Sequence, residues 1–246
     1  MILKPDENAY RALTAGAAVQ VRDTAGVLAL TGADRVDFLQ RMTTNNMLLL
    51  RPGRSCVTVL TSPTAKTVQV FTVYPGSDAL VLLPAPGETN ALFRHLRGQI
   101  FFMDKVGIAD RSASQFRLRV MGPTAGAVLA KIGVHVEGVE DGAVVENDNL
   151  VVVAQFAYDL PGFELVAPVE GASDFLEQLA GAGATILEDD GAYQAHRVEL
   201  GRPVTGHELT SEYNPLEAGL GLGMCGKQGV VTPDRRSSPG NSPTTR

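Results

Sequence analysis

Clustered positive charge is missing from this 246-residue chain. Its 21 Lys and Arg are outnumbered by 27 Asp and Glu, for a formal net charge of −6, and no basic stripe runs along it. Proteins that grip a phosphate backbone concentrate Lys and Arg on one face, so a nucleic-acid partner is not expected. Also missing is any apolar run approaching the ~20 residues of a membrane span. The opening Met1-Ile2-Leu3-Lys4-Pro5-Asp6 lacks the apolar stretch that follows a basic start in a secretory leader. No membrane association is expected, and a cytoplasmic location is. Cysteine is scarce: Cys56 and Cys225 lie far apart, which suits a reducing compartment better than a disulfide framework. The four histidines, His95, His135, His196 and His207, show no ligand spacing with Cys or carboxylates, so no metal site is assigned. Glu188-Asp189-Asp190 could hold a divalent cation, but acids just before a helix also serve its dipole. No nucleophile–base pair can be assembled, and no catalytic residue is assigned.

A hydrophobic fraction of 44% is enough for a substantial core, in one large domain or two small ones. The stretch Leu30–Tyr74 is the most legible. Leu30-Thr31-Gly32-Ala33-Asp34 reads as a strand end turning into a helix, with Asp34 as N-cap and Val36, Phe38, Leu39 and Met42 on the apolar side. Thr43-Thr44-Asn45-Asn46 ends that helix, because short polar side chains compete with helical hydrogen bonds. Cys56–Leu60 and Val68–Tyr74 alternate as strands around Ser62–Lys66, a hairpin connection. A strand over 79–83, a helix over 88–98 and a strand over 105–109 follow.

The same order then recurs. Phe116–Val120 alternates as a strand; Gly122-Pro123 opens a helix. After a Gly/Glu/Asp-rich linker over 137–148, a hairpin turns at Leu160-Pro161-Gly162, followed by a helix over 172–179, a strand over 185–187 and a helix over 190–200. Leu30-Thr31-Gly32 and Val120-Met121-Gly122 occupy equivalent places. The expected fold is therefore α+β, a pseudo-duplicated strand–helix–strands–helix–strand core over 1–220, its halves about 26–112 and 113–220. Residues 1–25 have no clear assignment beyond a short helix or strand. Residues 221–246, rich in Gly, Pro, Ser and Thr, read as a disordered or divergent tail. Gly221-Leu-Gly223-Met-Cys-Gly226 fits a dinucleotide pattern but has no helix or strand after it.

Several ordered segments carry a resemblance. Val36-Asp37-Phe38-Leu39-Gln40 runs into Thr44-Asn45-Asn46; Leu60-Thr61-Ser62-Pro63 leads into the second strand; then come Pro161-Gly162-Phe163-Glu164-Leu165, Arg197-Val198-Glu199-Leu200-Gly201, Gly206-His207-Glu208-Leu209-Thr210 and Asn214-Pro215-Leu216-Glu217-Ala218-Gly219-Leu220. Together they resemble the folate-binding family that joins the glycine-cleavage T-protein (aminomethyltransferase) with the YgfZ-type proteins, and the last segment leans towards the YgfZ-type branch. The resemblance implies a pocket for tetrahydrofolate or a one-carbon derivative between the halves. It also implies a role in iron–sulfur cluster assembly or maintenance, with iron–sulfur proteins or assembly factors as further partners. The alternatives are an aminomethyltransferase and a non-catalytic interaction remnant.

The resemblance also nominates site residues. A pterin presents a 2-amino group beside a ring N–H, and one carboxylate can accept from both. Glu164 matches the family's Glu in the Gly-aromatic-Glu motif; the alternative is a solvated strand carboxylate. Arg197 matches the arginine of Arg-x-Glu-x-Gly and suits a folate carboxylate tail; the alternative is a helix-end ion pair. Asn45 and Asn46 could present amides to the pterin or cap the helix. Two departures stand out. The T-protein's Asp-Asp pair falls on Gln69 and Val70, and the YgfZ-type cysteine motif and C-terminal β-barrel are not found after Leu220, as in a truncated or frame-shifted chain.

Overall fold

A computed structural model describes residues 5–220 of the chain. The expected tail and Cys225 lie outside the described residues. Two antiparallel-based sheets pack face to face, each covered on its outer side by helices.

The five-stranded sheet is built from the first half. After strand β2 (Leu28–Thr31) come helix α2 (Arg35–Met42), a 3-10 turn (Met47–Leu49), β3 (Cys56–Thr61), β4 (Thr67–Pro75), β5 (Leu80–Pro84), α3 (Thr89–Gly98) and β6 (Gly107–Asp110), with spatial order β3-β4-β5-β2-β6. Its outer face packs Leu28, Leu30, Phe71, Val73 and Leu82 against Phe38, Leu39, Leu92 and Leu96 of α2 and α3.

The second half repeats this plan: β7 (Gln115–Met121), α4 (Ala125–Lys131), β8 (Val144–Asn147), β9 (Leu150–Gln155), β10 (Gly162–Pro168), α5 (Ala172–Gly181) and β11 (Thr185–Ile186). Strand β8 lies in the stretch expected to be a linker. The N-terminal segment breaks the repeat. Helix α1 (Glu7–Ala15) leads into β1 (Ala18–Val21), which enters the six-stranded sheet, order β11-β1-β7-β10-β9-β8. Strand β1 stands beside β7 as β6 stands beside β2, antiparallel, and displaces β11 one place outward. Helix α6 (Gly191–Glu199) then packs on α1.

The duplication is visible at two glycines. Gly32 and Gly122 both have positive φ, +96° and +104°, and both begin the turn into a helix. A Cβ at Gly32 would stand 2.0 Å from the Lys105 carbonyl oxygen, and one at Gly122 would stand 2.6 Å from that of Gly16. Two residues on, Asp34 N–H donates to Lys105 O and Thr124 N–H donates to Gly16 O. Asp34 does not cap α2 through its side chain; its Oδ2 accepts from Lys105 N–H at 2.9 Å and ties α2 to the segment before β6.

Between the sheets, Val27, Tyr74, Val81 and Leu83 meet Val153 and Val166. Period-two alternation sends Phe163 and Leu165 of β10 to the helix-covered face and Glu164 and Val166 inward. Among the described residues no helix is long and apolar enough to cross a membrane.

Candidate functional site

At one end of the inter-sheet interface lies a cavity of about 170 Å³. Gln20 of β1 and Arg22 just beyond it form part of the wall, with Val70 and Thr72 of β4, Pro84 of β5, Arg117 of β7 and Gln155 of β9. Tyr158 and Asp159 come from the β9–β10 connection, Asp190, Tyr193 and Gln194 from the start of α6, and Pro203, Val204, Thr205 and His207 from the loop after it.

A buried charge cluster stands on this wall and behind it. Glu164 is 1% exposed and does not itself line the cavity. Its Oε1 accepts from Arg117 Nε at 2.8 Å, and its Oε2 lies 3.3 Å from Arg22 and 3.8 Å from Arg119. Arg119, fully buried, donates to Gln155 Oε1 at 2.5 Å and to the Leu160 carbonyl. Arg117 donates to the carbonyls of Gly26 and Pro84, joining the two sheets. Gln155 Nε2 completes the bridge by donating to Thr72 Oγ1 of β4 at 2.5 Å. Asp159 accepts from Arg22 at 2.6 Å, Tyr193 Oη at 2.7 Å and Leu160 N–H at 2.7 Å. Three guanidiniums thus face two carboxylates, one formal positive charge in excess.

The arginines set the protonation of both acids. Burial alone would raise Glu164, but Arg117, Arg22 and Arg119 outweigh it and hold the carboxyl below its usual range. Burial likewise opposes ionisation of Asp159, and Arg119 and Arg22, with the hydrogen bonds from Tyr193 and Leu160, hold it down to about 2. A free Asp titrates near about 3.9. Because the folded value is depressed, the stabilisation is fully present above about pH 4 and is lost as pH falls through about 2, on the order of 2 kcal/mol in all. Urea unfolding across that window is expected to show an acid loss in which Asp159 contributes a share of this size beside that of Glu164, and Asp159→Asn removes the Asp159 share. Parallel acid profiles for the two chains would contradict the assignment.

The structure does not bring the four sequence-nominated residues together. Arg197 is buried at the end of α6, donating to Gln194 Oε1 at 2.5 Å, Glu208 Oε2 at 2.8 Å and the Arg202 carbonyl at 3.1 Å. It fastens the 202–208 loop, and so the Pro203–Thr205 wall, to the helix. Asn45 and Asn46 lie beside the edge strand β3 and do not line the cavity. Asn45 Nδ2 donates to the Val57 carbonyl and its Oδ1 accepts from Asn46 N–H, while Asn46 Oδ1 accepts from Leu48 N–H and caps the 3-10 turn. Their side chains brace the chain. In the Glu188-Asp189-Asp190 run, Asp189 accepts from Gly191 N–H, and Asp190, on the cavity wall, accepts from Gln20 Nε2 at 2.6 Å. Among the described residues no group of three or more His, Cys, Asp or Glu could hold a metal. Cys56 is packed beside the α2/α3 core, and burial pushes its thiol up to about 12.

Sequence reasoning passed over Arg22, Arg117, Arg119, Gln20, Asp159 and Tyr193. A signal existed in Phe116-Arg117-Leu118-Arg119-Val120. Alternation there reads as one apolar and one solvated face, yet Arg117 and Arg119 are 3% and 0% exposed because a second sheet covers them. The Asn214–Leu220 segment has a local explanation as well. Asn214 Oδ1 accepts from Leu216 and Glu217 N–H while Glu217 Oε2 accepts from Asn214 N–H, a reciprocal capping box.

The geometry defines a class: a duplicated α+β protein with a polar, arginine-rich cavity between its two sheets. Residues 7–225 match the family model described as the GCVT N-terminal domain, and the chain belongs to that aminomethyltransferase family. It is 31% identical over 216 residues to an aminomethyltransferase of Geobacillus thermodenitrificans, covering 81% of this chain and 57% of that protein. It is 30% identical over 225 residues to a putative chloroplastic transferase of Arabidopsis thaliana, covering 87% of this chain and 51% of the relative. The chain therefore spans little more than half the length of these curated relatives. Its fold is similar to the crystal structure of glycine cleavage system aminomethyltransferase T from Bartonella henselae, with a TM-score of 0.78 at 21% identity, over 87% of this chain and 59% of that one.

Proposed function

We propose that the inter-sheet cavity binds the ring system of a reduced folate. The observation that carries the reading is a cavity between the sheets whose wall presents fixed polar side chains, Gln20, Arg22, Thr72, Arg117, Gln155 and Asp159, held by hydrogen bonds and ion pairs to one another and to their surroundings. A concave site with a few well-placed polar groups suits a ligand rich in donors and acceptors. Membership of the aminomethyltransferase family supports a folate as that ligand. A cavity of about 170 Å³ is smaller than the roughly 300–1,000 Å³ of whole drug-sized sites, which suits a ring held inside with its tail outside. Glu164 then acts as a positioning residue, holding Arg22 and Arg117 in the wall, and Arg197 acts in the same way on the 202–208 loop.

A thermal-shift titration tests this. At a hundred times its dissociation constant, a ligand of the folded state alone adds about 2.7 kcal/mol, or roughly 5–10 °C in Tm for a domain of this size. No shift with tetrahydrofolate at any soluble concentration would sink the reading.

A second reading, aminomethyl transfer, is favoured by the names of several relatives. Against it stands the cavity's own wall, where Val70 lies at one of the two positions that the resemblance pairs with the T-protein's acids. The YgfZ-type role in iron–sulfur cluster assembly or maintenance rests on the likeness of the Asn214–Leu220 segment.

A further inference from the structure

We propose that the loop joining α3 to β6 docks on an anionic lipid surface. Phe101, Phe102 and Met103 at its tip are 66%, 89% and 73% exposed. Among the described residues no other three consecutive large apolar side chains stand in solvent. Single exposed apolar residues are ordinary, whereas a contiguous apolar patch rimmed by polar groups marks an interaction site. A peripheral contact needs no spanning segment, only a few apolar side chains beside cations.

The tip is held rigid. Asp104 N–H donates to the Phe101 carbonyl at 2.9 Å, and Asp104 Oδ2 accepts from Phe101 N–H at 3.0 Å. Arg41 Nη2, reaching over from α2, donates to both carboxylate oxygens of Asp104, at 2.9 and 3.0 Å. The Phe101 and Phe102 rings lie together, their centroids 5.4 Å apart. Two backbone groups of the turn are therefore already paired, which matters at a lipid boundary that offers few partners of its own.

Charge selects the occupant. Arg97 stands in the last turn of α3, four residues before Phe101; Arg94 lies one turn earlier, and Lys105 directly follows Asp104. All three are exposed and form no ion pair among the described residues. The net charge of −6 does not cancel them, because charges beyond about 8 Å are largely screened at physiological ionic strength. A second copy fits poorly: an isologous contact would set the same cations against each other. An acidic protein would satisfy the cations, but a stable protein interface buries about 800 Å² on each partner, far more than three side chains at a tip provide. Entry of those side chains into the headgroup region, with cations over anionic lipids, uses what the loop presents.

The chain contains no Trp, so Phe102→Trp supplies a single fluorescent reporter. With vesicles of phosphatidylcholine and about one-third phosphatidylglycerol, its emission is expected to shift to the blue and to be quenched by brominated acyl chains. Each Lys or Arg near an anionic surface strengthens binding about fivefold. Arg94→Gln with Arg97→Gln, or vesicles of phosphatidylcholine alone, should therefore weaken binding tenfold or more. Because Trp itself favours interfaces, flotation with the same vesicles is also run on the unaltered full chain and on a Phe101→Ser/Phe102→Ser double variant. The unaltered chain is expected to float, and the double variant, with a near-unchanged Tm, to stay in the soluble fraction. Failure of the unaltered chain to float, or equal flotation of the double variant, overturns the proposal. Binding to poly-L-glutamate without binding to vesicles gives the tip to an acidic protein instead, and a concentration-dependent dimer that the double variant abolishes gives it to a second copy; either result overturns the lipid assignment.

Discussion

Replacing Glu164 by Leu is expected to destabilise the chain by about 3–5 kcal/mol, the range for removing one partner of a buried ion pair. The reason is electrostatic. In the intact cluster three guanidiniums face Glu164 and Asp159; without Glu164 the formal excess rises from one positive charge to two. Arg117 keeps the carbonyls of Gly26 and Pro84 and Arg22 keeps Asp159, but Arg117 Nε loses its only acceptor. Solvent compensates little, because the three arginine side chains are 10% exposed or less. At roughly 2–4 °C per kcal/mol for a domain of this length, Tm should fall by about 6–20 °C. Glu164→Gln keeps the shape and one acceptor oxygen and should cost less. A Leu variant as stable as the unaltered chain would show that the cluster is not a net stabiliser.

The cluster also marks where sequence reasoning runs out. The strands of the first half were legible because each has one face against helices, so Cys56–Leu60 and Val68–Tyr74 alternate plainly. The same rule misleads at Arg117 and Arg119, whose polar-looking face is covered by another sheet. No local pattern announces a buried arginine whose partner, Glu164, lies 47 residues away. Residues 1–25 have no clear assignment from sequence for a related reason: β1, which falls in that stretch, pairs with β7 and β11, far along the chain. Asp34 looks like an N-cap from its neighbours alone, yet its carboxylate bonds to Lys105. Asp159 was missed because Tyr-Asp before Leu-Pro-Gly reads as ordinary turn composition.

The second large effect concerns catalysis. Turnover of an aminomethyl-lipoyl donor with tetrahydrofolate is expected to stay at the level of a no-protein control. The resemblance implies that aminomethyl transfer needs a carboxylate near the folate nitrogen and the departing amine, and a positioned acid or base typically contributes about 10²–10⁴ in rate. The resemblance aligns the family's acids with Gln69 and Val70. Val70 lies on the cavity wall, packed with Val59, Leu209 and Tyr158, and carries no charge. Gln69 alternates to the opposite face of β4, where its amide donates to Glu88 Oε2 at 2.9 Å. Asp159 does share the cavity with Val70, but its pairing with Arg22 and Tyr193 keeps it a weak base. Turnover well above the control would mean that Asp159 or Asp190, the acids on the cavity wall among the described residues, reaches the reacting amine.

The most direct measurement of the central claim is isothermal calorimetry of tetrahydrofolate, under reducing conditions, into the full chain and into a cavity-filling Thr72→Phe variant. Thr72 lines the cavity and its hydroxyl accepts from Gln155. The account predicts saturable one-to-one binding to the unaltered chain and loss of that heat in the variant. Equal binding by both chains would place the ligand elsewhere, and no binding by the unaltered chain would contradict a folate site between the sheets.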